Sequence, residues 1–570
     1  MKKWFVYAKK ADFNAIADKY DITPVMARIM RNRDVEGDEA VNRYLNGGLK
    51  DLYSASLMKD MDKAVAIIAE KINQGKKIRV IGDYDIDGVM AIYVLIKGLR
   101  RCGAFVDGRI PHRVKDGYGI NESLIKDAYE DGVDTIITCD NGIAAAEQVE
   151  YAKSLGMTVI ITDHHDIPYK DDEDGRHYII PKAAAVIDPK QEDCEYPFKL
   201  LCGAAVAWKL LCALYEKTKV PLTELEEFLE MVAIATVGDI VLLQDENRIL
   251  VKEGLKRIPN TKNLGLKALI AANNLNPLAI SSYHIGFVIG PCLNASGRLE
   301  TAYKALELLM AESKAEAESR AGELKALNDS RKELTKEAEL SALNMIESTE
   351  LINDKVLVVY LPECHESLAG IVAGRVREAY SKPTIVLTNG EEGLKGSGRS
   401  IEAYNMFEEL VKVRDLLDKF GGHPMAAGMS LKKEKLTEFR QRLNGQTTLT
   451  EDDFVEKVWI DVAMPFGYIT EKFINGLKKL EPFGNGNEKP VFAAKVTVSN
   501  YRIIGANRNV LRMSLKDEYG TPLDAISFGD VQKFEERIKT GAPVIPILYY
   551  PEINEYNGIR SIQVVVTDYT

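Results

Sequence analysis

Paired cysteines, long apolar runs and an excess of positive charge are all missing from this chain. The seven cysteines are odd in number, scattered and never spaced Cys-x-x-Cys. That excludes a disulfide framework or zinc knuckle and fits a reducing cytoplasm. No stretch is apolar for long enough to cross a bilayer, so no membrane association is expected. The start, Met1-Lys-Lys-Trp-Phe-Val-Tyr-Ala-Lys-Lys10, carries too short an apolar run for a signal peptide. Lysine and arginine number 74 against 85 aspartate and glutamate, a net charge of −11. Such a balance excludes a protein that coats nucleic acid by charge alone. The deficit falls wholly before Val455, after which 14 basic residues meet 14 acidic ones. A locally basic groove is compatible with that distribution, so composition neither supports nor excludes DNA as substrate. At 570 residues the chain is too long for one core, and three or four domains are expected.

What is present in unusual concentration is carboxylate at the ends of apolar strands. Val80-Ile-Gly-Asp-Tyr-Asp-Ile-Asp-Gly88 closes a strand with Asp83, Asp85 and Asp87 at alternate positions. Ile136-Ile-Thr-Cys-Asp-Asn-Gly142 ends in Asp140, and Val159-Ile-Ile-Thr-Asp-His-His165 ends in Asp163, His164 and His165. Ala233-Ile-Ala-Thr-Val-Gly-Asp239 adds one more acid. A single Asp after a strand is ordinarily a helix cap or a turn. Several such ends, one with a His-His pair, are different, because clustered carboxylates are too costly to pack without cations. Oxygen ligands mixed with imidazole suit magnesium or manganese better than structural zinc. The pattern reads as a two-metal phosphoesterase.

Short β-branched runs alternate with helical stretches from Lys77 onward. Strands are expected at Ile78–Gly82, Phe105–Ile110, Thr135–Cys139, Thr158–Thr162 and Ala184–Ile187. They imply a parallel sheet with helices on both faces, which binds ligands beyond the carboxyl ends of its strands. Residues 201–240 read as helices, with Asp239 ending one. Residues 301–350, rich in Ala, Glu, Lys and Leu, read as one long helix. A second α/β unit follows, with strands Val356–Leu361 and Pro383–Leu387 around a helix Ser367–Ala379. Glycine-rich elements at Lys395–Ser400 and Phe420–Gly428 come after it. The tail from Val455 has short alternating strands and no strong helix until Val531–Lys539, which suggests a small β-barrel of oligonucleotide-binding type.

Asp83-Tyr-Asp-Ile-Asp-Gly88, Asp140-Asn-Gly142, Asp163-His-His165 and Gly238-Asp239 resemble the DHH phosphoesterase superfamily. Ser397-Gly-Arg399 and Gly422-His423 are similar to its associated C-terminal domain. Pro291-Cys-Leu-Asn-Ala-Ser-Gly-Arg-Leu299 and Glu481-Pro-Phe-Gly-Asn-Gly-Asn487 resemble the branch of bacterial single-strand-specific DNA exonucleases. Two departures stand out: Asp188 where Asn is expected before Pro189, and Glu300-Thr301 where an acidic pair is expected. The implied fold class is α/β: a parallel-sheet DHH domain and a DHH-associated C-terminal domain joined by a long helix, plus a C-terminal OB-type β-barrel. The bounds are an N-terminal segment 1–55, a catalytic domain 56–300, a connecting helix 301–350, a substrate-binding domain 351–450 and an OB domain 455–570.

The resemblance implies that Asp85 and Asp140, with Asp83, hold one divalent ion, Mn2+ or Mg2+. Asp87, Asp140, His164 and Asp239 hold a second, with Asp140 bridging. Those residues and His165 form the catalytic set, His165 as a phosphate contact or a hydrogen-bond donor behind the ligands rather than a ligand itself. Arg298, His365, Arg375, Ser397, Arg399, Gly422 and His423 are expected to bind substrate. Four have a plainer reading: Arg298 can cap a helix, Arg375 can pair with an acid, His365 can be a core histidine, and Gly421-Gly422 can be a turn. In the tail, Tyr501, Phe528, Tyr549 and Tyr550 are candidate base-stacking platforms, with Arg502, Arg508 and Arg512 beside them. The activity implied is 5′-to-3′ hydrolysis of single-stranded DNA in repair and recombination, with a single-strand-binding protein and a helicase as expected partners. A phosphodiesterase acting on short oligoribonucleotides or small nucleotides is one alternative, disfavoured by residues 455–570. A non-catalytic replication or repair scaffold is another, disfavoured by the full set of acids.

Overall fold

The computed structural model describes every residue except Met1, Val114, Lys115, Tyr118, Glu173, Asp174, Ala506, Gly541, Ala542, Pro543 and Asn557. The chain divides into two units: a larger one, Trp4–Gly290 with Val458–Thr570, and a smaller one, Pro291–Lys457 with the first residues.

In the larger unit a five-stranded sheet runs in the spatial order Phe105–Arg109, Lys77–Ile81, Thr135–Cys139, Thr158–Thr162, Ala185–Ile187, and every pair is parallel. Its central strands are apolar at successive positions because both faces are covered. Ile81, Ile136, Val159 and Ile161 pack with Ile125 and Val149 from two flanking helices. Helices Ile86–Arg101 and Gly203–Thr218, buried along most of their length, pack against each other.

The tail of the larger unit is a barrel. Six strands run in the order Val462–Ala463, Phe492–Ile504, Val510–Asp517, Pro522–Phe528, Ile559–Tyr569, Ile545–Tyr556, and pairing of Phe492–Ile504 with Ile545–Tyr556 closes the ring. Helix Val531–Lys539 lies where the sequence puts it, but helix Glu471–Leu477 was not foreseen. Its start is capped by Thr470, whose Oγ1 accepts from Phe473 N at 3.1 Å. The first helices of the chain share the barrel's core: Met26, Ile29 and Met30 pack with Phe473, Phe492 and Tyr549. Arg248, buried in the first domain, donates to the carbonyls of Tyr44, Lys479 and Leu480 at 3.1, 3.0 and 2.9 Å.

In the smaller unit a mixed sheet runs Lys419–His423, Ala426–Leu431, Leu394–Arg399, Thr384–Asn389, Leu357–Tyr360, with only the last pair parallel. Helix Ala369–Tyr380 and the end of the long helix cover one face; Met406, Leu410, Phe439 and Leu443 cover the other. The long helix is Lys314–Ser348, and the stretch before it is a separate helix, Tyr303–Met310. Ser313 makes the break: its Oγ accepts from Glu316 N at 3.2 Å, and Glu316 reaches back to Glu312 N at the same distance. Ser-x-x-Glu is a helix-start signature that composition alone passes over.

Candidate metal centre

The first parallel strand, Lys77–Ile81, has its two chain successors on opposite sides, so strand order reverses between it and Thr135–Cys139. A crevice opens beyond the strand ends at such a point, and both bordering loops are acidic. The first turns tightly. A Cβ at Gly88 would stand 2.4 Å from the carbonyl oxygen of Asp83, so only glycine lets the new helix start so close to the strand. Asp85 caps that helix, its Oδ1 accepting from Asp87 N at 3.0 Å and Gly88 N at 3.1 Å. Asp87 faces another helix, accepting from Gly203 N at 2.5 Å and Ala204 N at 2.7 Å. The positive end of helix Gly203–Thr218 thereby holds a carboxylate in place.

Asp140 sits in the left-handed region at φ 60, which Asp tolerates better than most residues. Its Oδ1 lies 3.0 Å from His164 Nε2. The same nitrogen is 3.6 Å from Asp87 Oδ2 and 3.8 Å from Asp239 Oδ2. Asp239 follows helix Leu229–Gly238, as its sequence context indicates. Among the described residues, potential ligand atoms fall into three groups, each within 4.8 Å: Asp83, Asp85, Asp140; Asp87, His164, Asp239; and Asp140, His164, His165. Sequence-distant carboxylates and imidazoles thus meet in one place.

Their ionisation reflects crowding. Burial and then neighbouring acids push Asp83 and Asp140 well above the usual carboxylate range, Asp87 up to about 6 and Asp239 up to about 8. Burial, then His165, pushes His164 down to about 3. For His165 burial works in the same downward sense, but the hydrogen bond and charge of Asp163 outweigh it and raise the imidazole to about 9. A neutral His164 can offer a lone pair; a charged His165 suits an anion.

Asp163 begins the Asp-His-His run but lies outside the expected ligand set. Its Oδ1 accepts from His165 Nδ1 at 2.7 Å and His164 N at 2.7 Å, and its Oδ2 from Ile143 N at 2.9 Å. It orients both histidines. Asn141 ties neighbouring loops by donating to Ile81 O and Cys139 O and accepting from Ile120 N. The unexpected Asp188 is buried; its Oδ1 accepts from Lys190 N at 2.8 Å, and burial, then Asp163, raises it to about 8.

The expected substrate residues lie in the smaller unit. Arg298 donates to the Ser367 carbonyl at 2.9 Å. His365 is exposed rather than part of a core, and its Nδ1 is 2.7 Å from Ser367 Oγ. Arg375 pairs with Glu339 of the long helix. Ser397 and Arg399 belong to an interior strand, whose neighbours on both sides pair with its backbone, so what this segment offers a ligand is its side chains. Gly370 leaves room for the Arg399 guanidinium, which a Cβ there would approach to 2.7 Å. Gly422, at φ 148, and His423 end a strand of a hairpin rather than forming a loop. In the barrel, Tyr549 and Tyr550 are core residues, with the Tyr549 hydroxyl donating to Met464 O at 2.5 Å, so neither is a surface platform. Phe528 is exposed and Tyr501 half-buried.

A parallel sheet with carboxylates and a histidine gathered at its switch point defines a DHH phosphoesterase. In keeping with that class, the DHH family N-terminal domain matches residues 77–236 and the DHHA1 domain residues 353–448. The RecJ OB domain matches residues 460–568. The single-stranded-DNA-specific exonuclease RecJ of Bacillus subtilis is 38% identical, covering 99% of this chain and 70% of its own. RecJ of Escherichia coli is 32% identical over 96% of both. Among solved structures, RecJ of Thermus thermophilus in complex with Mn2+ aligns at TM-score 0.83 and 28% identity, over 100% of this chain and 79% of that one. The chain belongs to the RecJ family of single-stranded-DNA-specific exonucleases.

Proposed function

We propose that this chain hydrolyses phosphodiester bonds of single-stranded DNA from the 5′ end, with two divalent ions, Mn2+ or Mg2+, and serves DNA repair and recombination. The observation that carries the reading is the convergence of Asp83, Asp85 and Asp140 in one set of ligand atoms and of Asp87, His164 and Asp239 in another, the two linked by the proximity of Asp140 to His164. The donors fit hard divalent cations in kind: carboxylate oxygens with one neutral imidazole. Asp83 Oδ1, buried and with no hydrogen-bond partner among the described residues, supports the same fit. Solved RecJ relatives are complexes with Mn2+ and with Mg2+.

Asp83, Asp85 and Asp140 would hold one ion; Asp87, Asp140, His164 and Asp239 the other. When bound, such ions supply an activated water and counter-charge for the phosphate. The chain's own contribution is orientation and charge. Asp163 holds His164 and His165 in place, and His165, charged at neutral pH, meets a phosphate oxygen. In the smaller unit we assign Arg298, His365, Arg375, Ser397, Arg399, Gly422 and His423 to the substrate; Arg375 must then exchange its Glu339 partner for phosphate. A single-strand-binding protein and a helicase are the proposed partners. Seven free cysteines support a reducing cytoplasmic location, and among the described residues no helix is long and apolar enough to cross a membrane.

Digestion of 5′-labelled and 3′-labelled single strands, with a duplex control and with and without Mn2+, tests the proposal. Immediate release of the 5′ label from single strands, with metal only, is the expected result. Hydrolysis confined to dinucleotides would move the assignment to small substrates, and early release of the 3′ label would reverse the polarity.

A further inference from the structure

The segment Glu481–Asn487, between helix Glu471–Leu477 and the barrel strand Phe492–Ile504, has no part in the chemistry above, yet it grips the backbone beside a proposed ligand. Resting on the two-metal exonuclease reading, we propose that Asn485 is a positioning residue: it clamps the stretch after Asp239 and so aims that carboxylate at its metal ion.

Asp239 needs holding from outside. Asp85, Asp87 and Asp163 are oriented by backbone N–H groups from which their carboxylates accept. Asp239 accepts from none among the described residues, and it meets His164 Nε2 only at 3.8 Å. It also caps the C-terminal end of helix Leu229–Gly238, where the helix dipole disfavours a carboxylate. Its aim therefore depends on the backbone that carries it. That backbone is strained: the next residue, Ile240, holds φ 59, a conformation that β-branched residues rarely adopt. Ile240 is 69% exposed, so packing of its own side chain does not keep it there.

The clamp is Asn485. Its Nδ2 donates to Ile240 O at 2.6 Å, and its backbone carbonyl accepts from Leu243 N at 2.7 Å. One residue thus takes both ends of the stretch 240–243. The glycines on either side permit the approach. A Cβ at Gly484 would stand 2.6 Å from Leu243 Cδ1, and one at Gly486, at φ 74, would stand 2.9 Å from Leu242 Cδ2. The clamp also has a fixed base. Buried Asn487 donates to Leu480 O at 2.9 Å and to Pro482 O at 2.7 Å, and accepts from the Tyr44 hydroxyl at 2.7 Å.

Gly-Asn-Gly-Asn487 reads in these terms: the glycines let the loop close in, the first Asn grips and the second braces. A strained backbone persists only while its surroundings over-determine it. Without the Asn485 side chain, Ile240 relaxes and Asp239 turns with it. A residue at the entry to the barrel, 245 positions further along the chain, thereby governs a ligand of the first domain.

The test compares wild type, Asn485→Ala, Ile240→Gly and the double variant by isothermal titration with Mn2+, and by melting and single-strand anisotropy in EDTA. Asn485→Ala is expected to weaken Mn2+ binding about tenfold or more, and to raise the Mn2+ needed for half-maximal digestion alike. Its Tm and its strand affinity in EDTA should match wild type. Glycine takes a positive φ freely, so Ile240→Gly removes the strain. In that background Asn485→Ala should cost less than about threefold. Unchanged Mn2+ affinity in Asn485→Ala would overturn the proposal, and so would an equal loss in both backgrounds. A loss accompanied by a large fall in Tm would make Asn485 structural only and overturn it as well. Wild type that binds Mn2+ but cuts no single strand would bring down the exonuclease reading and leave the clamp standing. Wild type that binds no Mn2+ would bring down both.

Discussion

Asp163 Oδ1 accepts a 2.7 Å hydrogen bond from His165 Nδ1 and holds that imidazole charged up to about pH 9. Because the charged form is the one suited to phosphate, kcat/KM is expected to fall as pH rises through about 9. Asp163→Asn removes the charge that sustains it, so the alkaline limb should move toward the ordinary imidazole range and activity should drop roughly 10–100-fold. Rate profiles between about pH 7 and 10 measure both effects; identical alkaline limbs in the two proteins would remove His165 from the substrate.

Asp140→Asn is the sharper probe of the metal centre. Asn tolerates the left-handed φ of 60 and keeps the side chain's shape, so folding should survive while a ligand charge is lost. Activity is expected to fall by more than about 100-fold, beyond the effect of altering a partner of a metal ligand. Circular dichroism with a turnover assay checks it; substantial activity in a folded variant would refute the bridging role.

Gly203→Ala tests the approach of two elements. The new Cβ would stand 2.6 Å from Asp140 Cβ, so helix Gly203–Thr218 must retreat from both Asp140 and Asp87. The expected outcome is a folded protein with weaker Mn2+ affinity, read by isothermal titration. Unchanged affinity would show that the close approach does not position the acids.

Metal-free stability should fall between about pH 7 and 9, for two reasons with the same sign. Asp239, raised to about 8, binds a proton in the folded state that the unfolded chain has lost. His165, raised to about 9, does the same above its ordinary value. Each contributes stability that disappears as pH climbs through the folded pKa. Mg2+ takes the place of the Asp239 proton, so the rise in Tm on adding it should be larger at about pH 9 than at about pH 7. Thermal melts with and without EDTA decide the point; a pH-independent gain would count against charge crowding as the cause.

Much of this architecture was legible because parallel strands buried on both faces leave continuous apolar runs, and several of them point at acids. Thr135–Cys139 and Thr158–Thr162 have the bounds read from sequence. Less visible were contacts between remote positions. Nothing local to Asp87 announces that it caps a helix beginning at Gly203, and nothing local to Tyr549 separates a core tyrosine from a stacking one. The glycines of Leu394–Arg399 left that element without an assigned secondary structure, because glycine is rare in strands; here Gly396 and Gly398 leave room for Leu387 and Met406 to pack. The Ser313 break was readable, but uniform helix-forming composition hid it.

The core shared by Met26, Ile29 and Met30 with Phe473, Phe492 and Tyr549 has a consequence for synthesis. A ribosome releases the first helices long before the barrel strands that cover them, so those side chains stay unpartnered while the parallel sheet between them in sequence is made. Contacts of such long sequence separation form slowly. Completion of the barrel, rather than of the sheet bearing the acids, is then the event that buries the apolar surface of those first helices.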